Sequence, residues 1–148
     1  MSVSWARPPV AALCFLLVAC GCGGQKRPFG LIPVSGRITC DDGKAIDAAV
    51  VKAVFVPQPA SSDGGRHARP AEATLAADGS FAGVSTVAKN DGAIAGRYRV
   101  ILQPMNADGT PCPKAVAAKY RDAEKTPLEV EVAADGPNRF ELTVERGP

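Results

Sequence analysis

From Val34 to the end of the chain, apolar and polar residues alternate with a period of two. Val34, Ile38 and Cys40 fall on one side of an extended backbone, with Ser35, Arg37 and Thr39 on the other. Val51, Ala53 and Phe55 share a side. Tyr98, Val100 and Leu102 alternate with Arg97, Arg99, Ile101 and Gln103. Leu128, Val130 and Val132 alternate with Glu129 and Glu131, and Phe140, Leu142 and Val144 with Arg139, Glu141, Thr143 and Glu145. A strand with one apolar and one charged face belongs to an antiparallel sheet buried on one side only. Seven strands are predicted, over 34–40, 49–56, 70–76, 80–87, 97–103, 127–133 and 138–145. Their number and spacing predict an all-β, seven-stranded antiparallel β-sandwich.

Turn signals separate these runs. Asp41-Asp42-Gly43, Asp78-Gly79 and Asp135-Gly136 each pair a side chain that folds back on its own backbone with a residue tolerant of positive φ. The tetrapeptide AADG occurs at 76–79 and again at 133–136, and both copies read as hairpin ends. Neither supplies the alternating oxygen ligands of a calcium loop. Two connections are long. Pro57 to Arg69, with Ser61-Ser62-Asp63-Gly64-Gly65, reads as a mobile loop. Pro104 to Pro127 contains an Ala-rich stretch from Lys114 to Tyr120 that predicts one short helix, with Val116 and Tyr120 pressed on the end of the sandwich.

Ahead of this domain the chain has a different character. Val10 to Ala19 is wholly apolar and preceded by a single charge, Arg7. A membrane-spanning helix needs about 20 such residues, so residues 1–19 read as a cleaved signal peptide. Leu17-Val18-Ala19-Cys20 resembles the lipobox of bacterial lipoproteins. That resemblance implies a diacylglyceryl thioether on Cys20, cleavage before it and acylation of the new amine. Cys22 is the alternative site, though it would place Ala19 where the lipobox has Leu. Gly21, rather than Asp, implies sorting to the outer membrane. Residues 20–33 then form the lipidated cysteine and a flexible linker, and 34–146 the domain.

The domain itself has a second resemblance. Pro33-Val34-Ser35-Gly36-Arg37-Ile38-Thr39, Asp42-Gly43-Lys44 and Val54-Phe55-Val56-Pro57 resemble the opening of carboxypeptidase regulatory-like domains. Asp78-Gly79-Ser80-Phe81, Gly96-Arg97-Tyr98-Arg99-Val100, Ala118-Lys119-Tyr120 before Thr126-Pro127-Leu128, and Asn138-Arg139-Phe140-Glu141-Leu142 follow in the same order. The resemblance implies a transthyretin-like sandwich, common among small exported lipoproteins. Gly36 would allow close backbone approach or a bulge within the first strand, Phe81 would enter the core, and Tyr98 would bury its ring with the hydroxyl at the edge. Ala48-Ala49 departs from the family pattern before strand two and leaves its register open.

Chemistry-bearing residues are sparse. His67 is the one histidine and lies in Gly64-Gly65-Arg66-His67-Ala68-Arg69, a solvated loop. A nucleophile needs a base beside it, and Ser61, Ser62 and Asp63 are not made a triad by proximity in sequence. The related hydroxyisourate hydrolases carry several histidines and a terminal Tyr-Arg-Gly-Ser, whereas this chain ends Val144-Glu145-Arg146-Gly147-Pro148. Glu129, Glu131, Glu141 and Glu145 read as solvated strand faces. Cys40 and Cys112 could be joined in an oxidising compartment or remain as free thiols, and the spacing does not decide between them. No zinc-type cysteine spacing or phosphate-cradling glycine loop occurs in the domain, so neither a metal nor a cofactor is expected.

The formal net charge of +2 falls to +1 once Arg7 leaves with the signal peptide, which excludes a nucleic-acid binder. The sequence therefore points to a non-enzymatic, membrane-anchored binding or structural module of the cell envelope. Its partner would be an envelope protein or, less in keeping with so few free aromatics, a glycan. Two other readings stand beside it: an accessory subunit of a surface or secretion complex recognised through an edge strand, and a small hydrolase with an unrecognised site. Oligomeric state is left open.

Overall fold

The first predicted strand forms as its alternation requires. β1 (Val34–Cys40) turns Val34, Gly36, Ile38 and Cys40 inward and leaves Arg37 exposed. The computed structural model describes residues 30–58, 62–63, 66–67 and 69–148, the two short pieces through their backbone alone. The remaining strands among these residues are β2 (Val50–Pro57), β3 (Ser62–Asp63), β4 (Arg66–His67), β5 (Ala71–Thr74), β6 (Ser80–Phe81), β7 (Gly96–Met105), β8 (Glu129–Val132) and β9 (Asn138–Val144). The fold is all-β. One sheet has the order β6-β1-β9, a second the order β5-β2-β7-β8, and β3 and β4 form a separate hairpin.

The β2–β7 pairing is the longest antiparallel register, from Val50 opposite Met105 to Pro57 opposite Tyr98. It aligns Ala53 with Leu102 and Phe55 with Val100, all four fully buried. On the other side of β2, Phe55 faces Ala71 and Ala53 faces Ala73, so each large residue has a small neighbour. Pro104 sits within β7 without loss, because its carbonyl faces away from β2 and accepts the Cys112 N–H at 2.9 Å. The N–H that proline lacks would have pointed the same way. The β6-β1-β9 sheet adds Val34, Ile38, Phe81 and Val144 to the same apolar cluster. Phe55 and Phe81, from different sheets, meet edge to face at 5.9 Å between ring centroids.

Several expectations are corrected. β1 and β9 pair in parallel, with Val34 opposite Asn138 and Cys40 opposite Val144. A parallel pair needs a long crossover, and nearly the whole domain separates these two strands. Of the two AADG turns expected to end hairpins, 76–79 is closed by the Ala76 N–H on the Ser80 carbonyl at 2.8 Å, with Glu72 bridged antiparallel to Ser85 beyond it, whereas 133–136, like 41–43, joins strands that do not pair. All three carry the chain from one sheet to the other, since β1 and β2, β5 and β6, and β8 and β9 belong to different sheets. The reversal itself is locally built: Asp42 and Asp78 accept the N–H two residues on, both at 3.0 Å. The 133–136 turn relies instead on buried Asn138, whose amide bonds both the N–H and the carbonyl of Ala133.

The strand expected over 80–87 stops at Phe81. Asp91 draws the following backbone into a loop by accepting the N–H groups of Thr86, Val87 and Ala88 at 2.7, 2.9 and 2.8 Å. The connection from Pro57 to Arg69 contains the small β3–β4 hairpin. The expected helix is reduced to a 3-10 turn over Ala118–Arg121, yet Val116 and Tyr120 are both buried as anticipated. The folded body also starts before position 34: Leu31 is buried, and Ile32 exchanges two backbone hydrogen bonds with Ala93 at 2.8 and 2.9 Å. Tyr98 does not leave its hydroxyl at an edge. It is fully buried and donates to the Ile94 carbonyl at 2.8 Å.

Candidate functional site

The β1–β2 loop, the β5–β6 turn and the chain's last residues meet at one end of the body. They enclose an open groove of about 550 Å³. Ile46, Val51 and Leu75 give it an apolar floor, and Lys44, Asp47 and Arg146 stand around it. Alanines at 45, 48, 49, 76 and 77 keep the walls low. A second concavity of about 490 Å³ continues along β5 and β6, sharing Leu75 and Ala76 and bringing in Lys52, Glu72, Ser80 and Lys89.

The rim is ordered by charge. Arg146 donates to both carboxylate oxygens of Asp42, at 3.2 and 3.5 Å, across 104 residues of sequence. The Lys44 N–H, and then the Arg146 guanidinium, hold the Asp42 carboxyl below its ordinary range. At the neighbouring turn Asp78 accepts the Ser80 hydroxyl and pairs with Arg37, both at 2.6 Å. The Ser80 hydroxyl first, then its N–H and Arg37, keep that carboxyl well below the carboxylate range. Both acids are therefore fixed anions that shape loops, with their lone pairs already engaged.

Cys40 and Cys112 are not joined: both thiols are free. Cys40 is buried with its Sγ directed at the Ala45 carbonyl, 4.0 Å away, and burial pushes the thiol up from its ordinary value. Cys112 is half-buried in the Pro104–Pro127 connection. The four glutamates are exposed and each pairs with a base: Glu129 with Arg99 at 3.3 Å, Glu131 with Arg97 at 3.9 Å, Glu141 with Arg139 at 3.6 Å and Glu145 with Lys119 at 2.6 Å. The His67 side chain, Ser61, Cys20, Cys22 and residues 1–19 lie outside the described residues. Among the described residues, no group of three or more His, Cys, Asp or Glu could hold a metal ion, and no helix is long and apolar enough to cross a membrane.

The groove was not foreseen. Its walls are alanines, which carry no recognisable chemical signature in a sequence, and the Arg146–Asp42 pair joins residues from opposite ends of the domain. Comparison of the chain with protein families, with curated proteins and with solved structures finds no match.

Proposed function

We propose that this chain is a lipid-tethered, extracytoplasmic binding module of the cell envelope, anchored at Cys20 in the outer membrane and built as a transthyretin-like β-sandwich. The sandwich reading is supported by one apolar cluster shared between the two sheets and by the Phe55–Phe81 contact that bridges them. The observation that carries the functional reading is the separation of the two ends of the body. The chain enters at Leu31 and Ile32, beside the start of β1. The groove lies past the end of β1, with Lys44, Ile46 and Arg146. Seven residues of β1 at about 3.3 Å each put roughly 20 Å between entry and groove. A tether at one end thus leaves the recognition surface at the other unobstructed.

Two results are expected. Cys20→Ser should abolish incorporation of a labelled fatty acid and move the protein from the membrane to the soluble fraction; a variant that stays membrane-bound would rule out the anchor. Ala76→Trp, at an exposed position shared by both concavities, should leave folding unchanged. It should abolish co-purification of any stoichiometric envelope component that the native protein captures. Undiminished capture would place recognition elsewhere.

A further inference from the structure

Among the described residues, seven-residue β9 is paired along one edge only. Its outward groups follow from two contacts. The Phe140 carbonyl faces β1, where a Cβ added to Gly36 would strike it, and the Val144 carbonyl accepts the Asp41 N–H at 3.0 Å on that same side. The N–H and C=O of one residue share a direction in an extended strand, and the direction reverses at each step. Asn138, Phe140, Leu142 and Val144 therefore bond towards β1, and Arg139, Glu141 and Thr143 point their backbone groups away. Glu145, the next in that series, has the Ala117 N–H on its carbonyl at 3.0 Å. Among the described residues nothing bonds to the outward groups of Arg139, Glu141 or Thr143. Phe140 and Leu142 beside them are only half-buried.

We propose that this edge pairs with the same edge of a second copy, antiparallel about a two-fold axis at Phe140. The charge pattern selects that occupant and that register. With Phe140 opposite its own symmetry mate, each Arg139 faces the other copy's Glu141, and both pairs exchange their outward N–H···O bonds. Glu141 already faces Arg37 across β1. In the dimer it stands between two arginines. Pairing ends where Thr143 meets Pro137, which has no N–H to give. Sliding by one step sets Glu141 against Glu141, which repels. Sliding one step further needs Glu145, whose carbonyl holds Ala117 and whose carboxylate holds Lys119. The three-stranded sheets of two molecules then merge into one, through an isologous contact. The two chains enter this composite sheet at opposite ends. Cys20 to Gly30 can span roughly 33 Å when extended, enough for both tethers to reach one membrane with the strands lying along it.

The test is sedimentation velocity of the purified full chain in density-matched non-ionic detergent. The native protein should sediment as a dimer. Glu141→Arg and Arg139→Glu, both on an exposed face, should each give monomers. An equimolar mixture of the two variants should return to dimer, because one contributes two acids and the other two bases at the facing positions. A monomeric native protein overturns the proposal. So do single variants that remain dimeric, or a mixture that stays monomeric. A monomer whose Glu141 and Thr143 amides resist hydrogen exchange would show the edge covered by the chain's own residues before Gly30, and would equally overturn pairing between copies.

Discussion

Gly36→Ala should destabilise the protein by about 3 kcal/mol or more, at or above the top of the usual range for overpacking a core. Gly36 lies in the middle of β1, between Phe81 on one neighbouring strand and Phe140 on the other. An added Cβ would collide with the Phe140 carbonyl oxygen and sit 3.0 Å from the Phe81 ring. The ring could turn aside, but the carbonyl belongs to the parallel ladder that joins β1 to β9 along their whole length. Relief requires the two strands to separate. Urea unfolding of the variant should show a lower midpoint with an unchanged slope. Gly43→Ala serves as the contrast. Its φ of 76° is unfavourable for alanine, yet nothing lies within 4 Å of the added carbon, so the loss should be limited to about 1–2 kcal/mol. Equal losses at the two positions would show that crowding between β1 and β9 is not what requires glycine.

Tyr98 should make the protein lose stability in alkali between pH 10 and pH 12. Burial pushes its phenol from an ordinary value of 10.0 up to about 12. Below pH 10 the phenol is protonated in both folded and unfolded chains, and its contribution is fully present. Between the two values the unfolded chain releases the proton while the folded chain retains it. Stability therefore falls as pH rises, by about 3 kcal/mol in all at 1.36 kcal/mol per pH unit. Tyr98→Phe removes this share of the alkaline loss. At neutral pH it leaves the Ile94 carbonyl without its donor, at a cost of about 1–3 kcal/mol. Unfolding free energies measured from pH 8 to 12 should thus show native protein and variant converging at the alkaline end. Parallel curves would mean that the Tyr98 hydroxyl reaches solvent in the folded state.

Much of the local structure was legible because strand periodicity and turn chemistry are short-range properties. The alternation around Ile38, Phe55, Val100, Val130 and Leu142 marked five strands to within a few residues. Phe81 and Val116 could be assigned to burial from their positions, whereas for Gly36 the sequence leaves close approach and a bulge both open. After Phe81 the expected strand is reduced to a single bridge from Ser85 to Glu72, and its last two residues are drawn off because Asp91 accepts the N–H groups of Thr86 and Val87. Alternation measures the wish of a segment to be extended. It does not register a carboxylate several residues away.

What the sequence by itself determined is five of the extended segments, the reversals at Asp-Gly, and most of the residues that must leave water. Hydrophobic patterning and turn geometry act within a handful of residues and need no knowledge of the rest of the chain. Only the tertiary structure decided which strands become neighbours: that Asp42-Gly43, Asp78-Gly79 and Asp135-Gly136 cross between sheets, that β9 returns parallel to β1, and that Arg146 closes on Asp42. Such choices depend on side chains far apart in sequence, as where Phe55, Phe81 and Tyr98 meet in one core, a condition that no single segment contains.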